Sequence, residues 1–302
     1  MRLGFAVKVL GDGGLPSHDT RRWQSQPSLE VSLERLAAIL ERLDAIDVRF
    51  YRMATGLAPY ASHPDHPAFR DAPRRCAPQL AAVGARAREL GIRLTSHPGQ
   101  YTVLNSVDER VQRLAADELE VQAELMDGMG LGPESVVVLH VGGAAGGQQA
   151  ALDRFEAGFA LLSDAARRRL VIENDDRTFG LSAVLELSGR IGRPVVWDLL
   201  HHRCHDPDGI PEREALTLAL ASWPADVTPK VHVSTPRTAV GERDGRIVLP
   251  PLRAHADLID PMTFERLVTQ TAAGLRDFDV MLEAKAKDLA LLRLREQVML
   301  PA

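Results

Sequence analysis

The chain has very little cysteine. Cys76 and Cys204 are the two thiols in 302 residues, too few for a disulfide framework or a paired CxxC zinc module. Long apolar runs are missing as well. None approaches the roughly 20 residues that a membrane span needs, and mean hydropathy is -0.11. The opening stretch MRLGFAVKVLGDGG is too short for a signal-peptide core before Asp12 interrupts it. These absences predict a soluble cytoplasmic protein, nucleoid-associated in a prokaryote if it works on DNA. No glycine-rich phosphate fingerprint follows the first strand-like run, which weighs against a dinucleotide-binding open sheet. A basic excess is also lacking: 36 Lys and Arg stand against 41 Asp and Glu, a formal net charge of -5. Generic nucleic-acid binding favours the opposite sign. Formal charge is incomplete, however, where carboxylates hold divalent cations, because the cations go uncounted.

What is present is an alternation. Short β-branched runs recur at Arg2–Val7, Ile46–Arg52, Ile92–His97, Ser135–Val141, Leu170–Asn174, Pro194–Asp198, Lys230–Ser234 and Asp279–Ala284. Between them lie amphipathic stretches. Leu33, Leu36, Ile39, Leu40 and Leu43 fall near a 3.6-residue period, as do Val111, Leu114, Leu119, Leu125, Met126 and Met129. Pro211 suits a first helical turn and Gly91 a helix C-cap. Alternating strand and helix means parallel strands with crossover helices. Eight units at roughly 38 residues each predict a (β/α)8 TIM barrel, α/β in class, with residues 1–302 as one domain. Two connections are long, Thr55–Arg75 and Thr235–Asp260. Both follow strand C-termini, the side on which barrels build their active sites.

The polar residues fall at informative places. Apolar runs end in His97, His140, Glu173, Asp198 and Glu283, and the seventh run carries His232. Six consecutive strands thus offer an imidazole or carboxylate at the barrel mouth. Burying one such group without a partner costs several kcal/mol, so six in register point to a shared partner. Imidazole plus carboxylate without thiolate suits Mn, Zn or Fe. The number of ligands exceeds what one tetrahedral site uses, which predicts two or three metals. His201, just after Asp198, and the loop histidines His255 and His63 are further candidates. Lys230 lies two residues before His232 and faces the same side of its strand. It is therefore expected to be neutral, carboxylated or in contact with a phosphate, unless it reaches solvent. In SHPGQY, a Pro-Gly turn throws Gln100 and Tyr101 outward, an amide beside an aromatic that suits wedging into a base stack. Arg74 and Arg75 are candidate phosphate contacts, with Arg86 and Lys287.

Taken together, ASHP, SHPGQY, VLHVGG, IENDDR, WDLLHH, PKVH and VMLEAKAK resemble the UV damage endonuclease family, a TIM-barrel relative of endonuclease IV. The matches run in order from about residue 46 to 288. The resemblance implies up to three divalent metals, commonly Mn, with Zn or Mg as alternatives. It implies incision of UV-damaged double-stranded DNA immediately 5′ to cyclobutane dimers and 6–4 photoproducts. His97, His140, Glu173, Asp198, His201, His232, His255 and Glu283 fall on the family's metal pattern, and His63 on a site-adjacent histidine. Lys230 falls on a carboxylated lysine, and Gln100 with Tyr101 on the pair that fills the space left by the flipped lesion. Glu173, Lys230 and His232 are the expected catalytic residues, with Glu173 bridging two metals. The first strand departs from the pattern. Phe5 and Val9 stand where Tyr and Asn are expected, so Phe5 would offer the lesion a ring without a hydroxyl. A monomer is expected, since bent DNA needs free access to the mouth. Two enzyme alternatives share this ligand chemistry, an abasic-site nuclease of endonuclease IV type and a metal-dependent sugar isomerase or epimerase.

Overall fold

The computed structural model describes residues 1–298. Its strands are β1 (Leu3–Ala6), β2 (Phe50–Arg52), β3 (Arg93–Thr95), β4 (Val137–His140), β5 (Leu170–Glu173), β6 (Val195–Val196), β7 (Lys230–Val233), β8 (Gly241–Arg243), β9 (Arg246–Val248) and β10 (Asp279–Leu282). β1 to β7 and β10 are parallel, in the runs β3-β2-β1-β10-β7 and β4-β5-β6. Single parallel bridges join the runs on both sides, Ser96 to Val137 and Asp198 to His232. The eight strands therefore form a ring, the TIM barrel that the alternation predicts. The strands are shorter than the sequence spans: His97, Asp198 and Glu283 lie just past their strands, while His140, Glu173 and His232 stay in the ladder. The loop after β7 is not structureless: β8 and β9 form an antiparallel hairpin within it.

Helices pack outside the ring, and their starts are chemically marked. Ser28 Oγ accepts from Val31 N at the head of the helix Leu29–Ala45, and Asp108 caps Glu109–Gly128 through Arg110 N. Gly91 and Gly192 both take φ +64, the left-handed geometry that ends the preceding helices. The apolar stripe Leu33, Leu36, Ile39, Leu40 and Leu43 is buried against the outward faces of the strands.

Strand register decides what faces inward. Cross-strand partners share a face, and alternate residues swap faces. Gly4, Phe50 and Arg93 are register partners, as are Ala6, Arg52 and Thr95, and these face the barrel interior. Phe5, Tyr51 and Leu94 take the opposite face, toward the helices. The lower interior is filled by Phe50, Ala6 and Met281 on one side and by Val136, Val138, Val171, Val196 and Trp223 on the other. Beneath them Arg93, fully buried, pairs with Asp279 at 2.8 Å, and Arg2 reaches the same carboxylate at 2.7 Å. The interior is a packed core with a charged floor, and the free space is at the top.

Gly4 is where the ring is tightest. A Cβ there would lie 2.6 Å from the Phe50 carbonyl oxygen and 2.7 Å from its ring. Gly4→Ala is expected to destabilise the protein by about 2 kcal/mol, the usual cost of overpacking a filled core, read as a lower urea midpoint at unchanged slope.

Candidate metal centre

The same parity that buries Phe50 and Val171 aims the next inward residues at the mouth. His97 follows Thr95 by two, Glu173 follows Val171, Asp198 follows Val196, His232 follows Lys230 and Glu283 follows Met281. His140 is the register partner of Glu173. Glu173 is the hub, with 0% exposure. Its Oε2 lies 2.9 Å from His97 Nε2 and 3.5 Å from His140 Nε2. Its Oε1 lies 2.7 Å from His232 Nδ1 and 3.7 Å from His201 Nδ1. Three overlapping groups have ligand atoms within 4.8 Å of one another: His97, Glu173 and His232; His140, Glu173 and His201; Asp198, His232 and Glu283.

Backbone contacts orient the imidazoles. His201 Nδ1 sits 3.0 Å from the Asn174 carbonyl, and His255 Nδ1 sits 2.9 Å from that of Glu283. Each leaves Nε2 free to serve as a ligand atom, the usual arrangement for a metal-binding histidine. Asp198 caps the short helix Leu199–Cys204, its Oδ1 accepting from His201 N at 2.8 Å. Asn174 ties that corner together, donating to Asp198 O and accepting from Asp198 N.

Charge is unevenly held. Burial works against ionisation of Glu173, but the surrounding imidazoles, His232 first, hold it well below the usual carboxylate range. Glu283 is partly exposed, and Arg52 and His232 outweigh its desolvation and hold it ionised. Burial pushes Asp198 up to about 6. His232 is pushed down by burial to about 4. Burial opposes charge on His201 too, yet Asp198, Glu173 and Glu283 outweigh it and raise the group to about 9.

The residues present fit a divalent cation. His232 Nε2, His140 Nδ1 and Asp198 Oδ2 are buried ligand-type atoms without a hydrogen-bond partner, where buried polar atoms are ordinarily satisfied. His97 makes the same point differently. Its two nitrogens face only acceptors, Pro98 O at 3.1 Å and Glu173 Oε2 at 2.9 Å, while burial holds the ring toward its neutral form. A neutral ring has one proton for two acceptors, and a cation between Nε2 and Glu173 resolves the conflict.

The remaining sequence-based candidates separate. His255 borders the cluster, its ring centroid 6.2 Å from that of His201. Lys230 is fully buried, its Nζ 3.3 Å from Thr95 Oγ1 and 5.5 Å from the Phe50 ring centroid. It reaches neither solvent nor a DNA phosphate, and burial holds it well below the ordinary lysine range. Gln100 and Tyr101 sit on an exposed turn, Tyr101 at 84% exposure. Gln100 lines a cleft of about 500 Å³ that includes His140 and His201.

Four further candidates sit apart from the ligand groups. Phe5 has 0% exposure and packs edge-on against Tyr51. Its parity turns it toward the helices, so it is not on a surface that DNA can touch. His63 stands apart from the ligand groups, exposed and packed at a tilt against His66, ring centroids 4.7 Å apart. Arg74 pairs with Asp71 and lines a groove with Glu120, Glu124 and Asp127, a setting that repels phosphate. Arg75 lines a separate groove beside Trp23. Sequence reading also missed Arg52, whose guanidinium pairs with Glu283 inside the mouth. The available signal was its place at the end of β2, the same place that yields the ligands on the other strands.

The family model for UV-endonuclease UvdE matches residues 25–300. The chain belongs to the UvdE family. It is 31% identical over 267 residues to a UV DNA damage endonuclease of Bacillus mycoides (strain KBAB4), covering 87% of this chain and 79% of that protein. A Bacillus velezensis relative of the same description is 30% identical over 252 residues, covering 83% and 75%. The crystal structure of SacUVDE superposes with a TM-score of 0.81 at 30% identity, over 99% of this chain and 100% of that one. D-psicose 3-epimerase shares the fold at a TM-score of 0.56 and 11% identity, covering 98% and 95%.

These charges make metal uptake a proton-releasing event. His97 and His232 enter neutral at pH 7, and His201 enters protonated. Apparent affinity for Mn²⁺ should therefore rise about tenfold per unit from pH 7 and level off near the His201 value of about 9. Titration calorimetry in two buffers of different ionisation enthalpy reads the proton directly, and a flat profile would contradict the assignment of His201.

Proposed function

We propose that this protein is a metal-dependent DNA repair endonuclease that nicks UV-damaged duplex DNA immediately 5′ to dipyrimidine photoproducts, both cyclobutane dimers and 6–4 products. The observation that carries the reading is the convergence of strand-end ligands on the buried Glu173 in a member of the UvdE family. His97, His140, Glu173, Asp198, His201, His232 and Glu283 would hold up to three divalent ions, with His255 at the edge. Manganese is the favoured ion, with zinc or magnesium as alternatives. When bound, such ions activate water and stabilise the leaving oxygen of a phosphodiester.

The chain's own groups do the rest. Glu173 stays ionised, and its two oxygens, turned to different imidazoles, would help hold the metal ions. Arg52 pairs with Glu283, and Lys287 lies nearby with its basicity lowered by burial; both would suit the backbone oxygens of the cut strand. A linked dipyrimidine stacks poorly and costs less to extrude than normal bases. Gln100 and Tyr101, already exposed on their turn, would fill the gap. The protein acts as one domain and as a monomer in the cytoplasm, leaving the mouth open to DNA.

Lys230 is the proposed site of carboxylation. A neutral amine adds to CO2 and loses one proton, giving a carbamate. The lowered basicity of this buried amine supports the assignment. Incubation with 13C-bicarbonate should give a carbamate resonance that Lys230→Met lacks, and identical spectra would remove the modification.

The reaction is tested on a duplex carrying one cyclobutane dimer, with Mn²⁺, against undamaged and abasic duplexes. A single nick directly 5′ of the dimer is expected. EDTA should abolish it, and Glu173→Ala should lower its rate at least about a thousandfold, as loss of a central catalytic group does. Cleavage of the abasic duplex alone would replace this reading with an endonuclease IV type activity. No cleavage with metal bound would turn attention to ketose epimerisation, which the fold also supports.

A further inference from the structure

The hairpin between β7 and β10 is unexplained by the site. Its legs are clamped where they leave the barrel. Arg237 N donates to Ala254 O, Ala256 N donates to Thr235 O, and Pro236 bridges His255. His255 is the residue anchored to the Glu283 carbonyl, so the clamp is part of the wall of the metal centre. Beyond it, β8 and β9 pair only with each other, and all six of their residues are exposed. Asp244 at φ +53 and Gly245 at φ +71 form a two-residue turn of the kind that fixes hairpin register.

That register creates a conflict. Arg243 and Arg246 are cross-strand partners, so both side chains leave the same face at the tip. Like charges placed directly opposite destabilise a ribbon, and a two-stranded ribbon with no packed face is marginal to begin with. Arg243 has one weak partner, Asp244 at 3.7 Å, and Arg246 makes no ion pair among the described residues. Four arginines lie on the arm and its clamp, Arg237, Arg243, Arg246 and Arg253, against two carboxylates, Glu242 and Asp244, in a chain of net charge -5. Ile247 and Leu249 are 77% and 73% exposed on the same arm, and apolar side chains of this kind suit the sugar edges of a DNA groove.

We infer that the β8–β9 hairpin is a DNA-binding arm whose paired Arg243 and Arg246 straddle one backbone phosphate of the duplex flanking the cut. A phosphate between two guanidiniums turns the cross-strand repulsion into two charge-assisted contacts. Arg243 lies six positions after Arg237, so the tip reaches at most about 22 Å from the clamp, which puts the contact on duplex flanking the mouth. This inference rests on the DNA-endonuclease reading above.

The test compares wild type with Arg243→Gln/Arg246→Gln, using nicking kinetics on the dimer duplex and fluorescence anisotropy on both dimer and undamaged duplexes across a salt series. The double variant should raise KM about tenfold near physiological salt, with the loss falling on KM rather than kcat. Its plot of log affinity against log salt should be shallower by about one, the signature of one lost phosphate contact. Trimming the duplex stepwise on the covered flank should bring the wild type to the variant's level once the contacted phosphate is removed, and leave the variant unchanged throughout. Equal slopes and equal KM would overturn the arm. So would a concentration-dependent dimer abolished by Ile247→Glu, which would give the surface to a second copy of the chain. If the wild type nicks no dimer duplex, the activity reading fails by itself, and the salt slope on undamaged duplex still judges the arm.

Discussion

The carboxylate of Glu173 is a buried charge with no arginine or lysine paired to it among the described residues. Its near neighbours are imidazoles: His97 and His232 within hydrogen-bond distance, His140 and His201 just beyond. A carboxylate in that position costs several kcal/mol unless something cationic or hydrogen-bonding meets it. The neutral imidazoles of His97 and His232 meet it only in part, because they have too few protons for the acceptors around them. The rest of the mouth is arranged around that shortfall. Six strands each bring one group, and only a closed ring puts six strand ends within reach of a single point. The packed layers below, with Gly4 pressed against Phe50 and Arg93 locked to Asp279, fix the strand register on which that convergence depends.

Register also explains what could be read from the sequence. The residues that converge on Glu173 were legible because they end apolar runs of one parity, and strand parity is a local property. His232 and Lys230 follow the same rule, and the structure puts both on the inward face. The turn carrying Gln100 and Tyr101 was legible from Pro98 and Gly99. Phe5 was misjudged for the mirror-image reason: one residue along β1 reverses the face, and a motif position carries no parity. Arg52 was overlooked because a basic side chain does not look like a metal ligand, although its position in β2 matches theirs. His63 was drawn toward the cluster by its residue type. Nothing local marks the tilted ring contacts with His66 and Tyr60 that it makes instead.

The hairpin after β7 shows a different limit. The Asp-Gly turn was visible, but three-residue strands with every side chain exposed give no hydrophobic pattern. The segment therefore read as a long loop. Its existence rests on turn geometry and backbone pairing, with no core to announce it.

Net charge misleads for a related reason. Acidic residues such as Glu120, Glu124 and Asp127 sit in a groove between outer helices, away from the mouth. Others, Glu173, Asp198 and Glu283, belong to the centre itself. The basic groups near the mouth are fewer but placed: Arg52 against Glu283, Lys287 close by, and the arginines of the arm beyond the clamp at His255. Screening confines each exposed charge to about 8–10 Å at moderate salt, so an acidic flank does little to a phosphate at the mouth. A polyanion approaching this face meets the local field, and a formal sum of -5 over the whole chain is no measure of it.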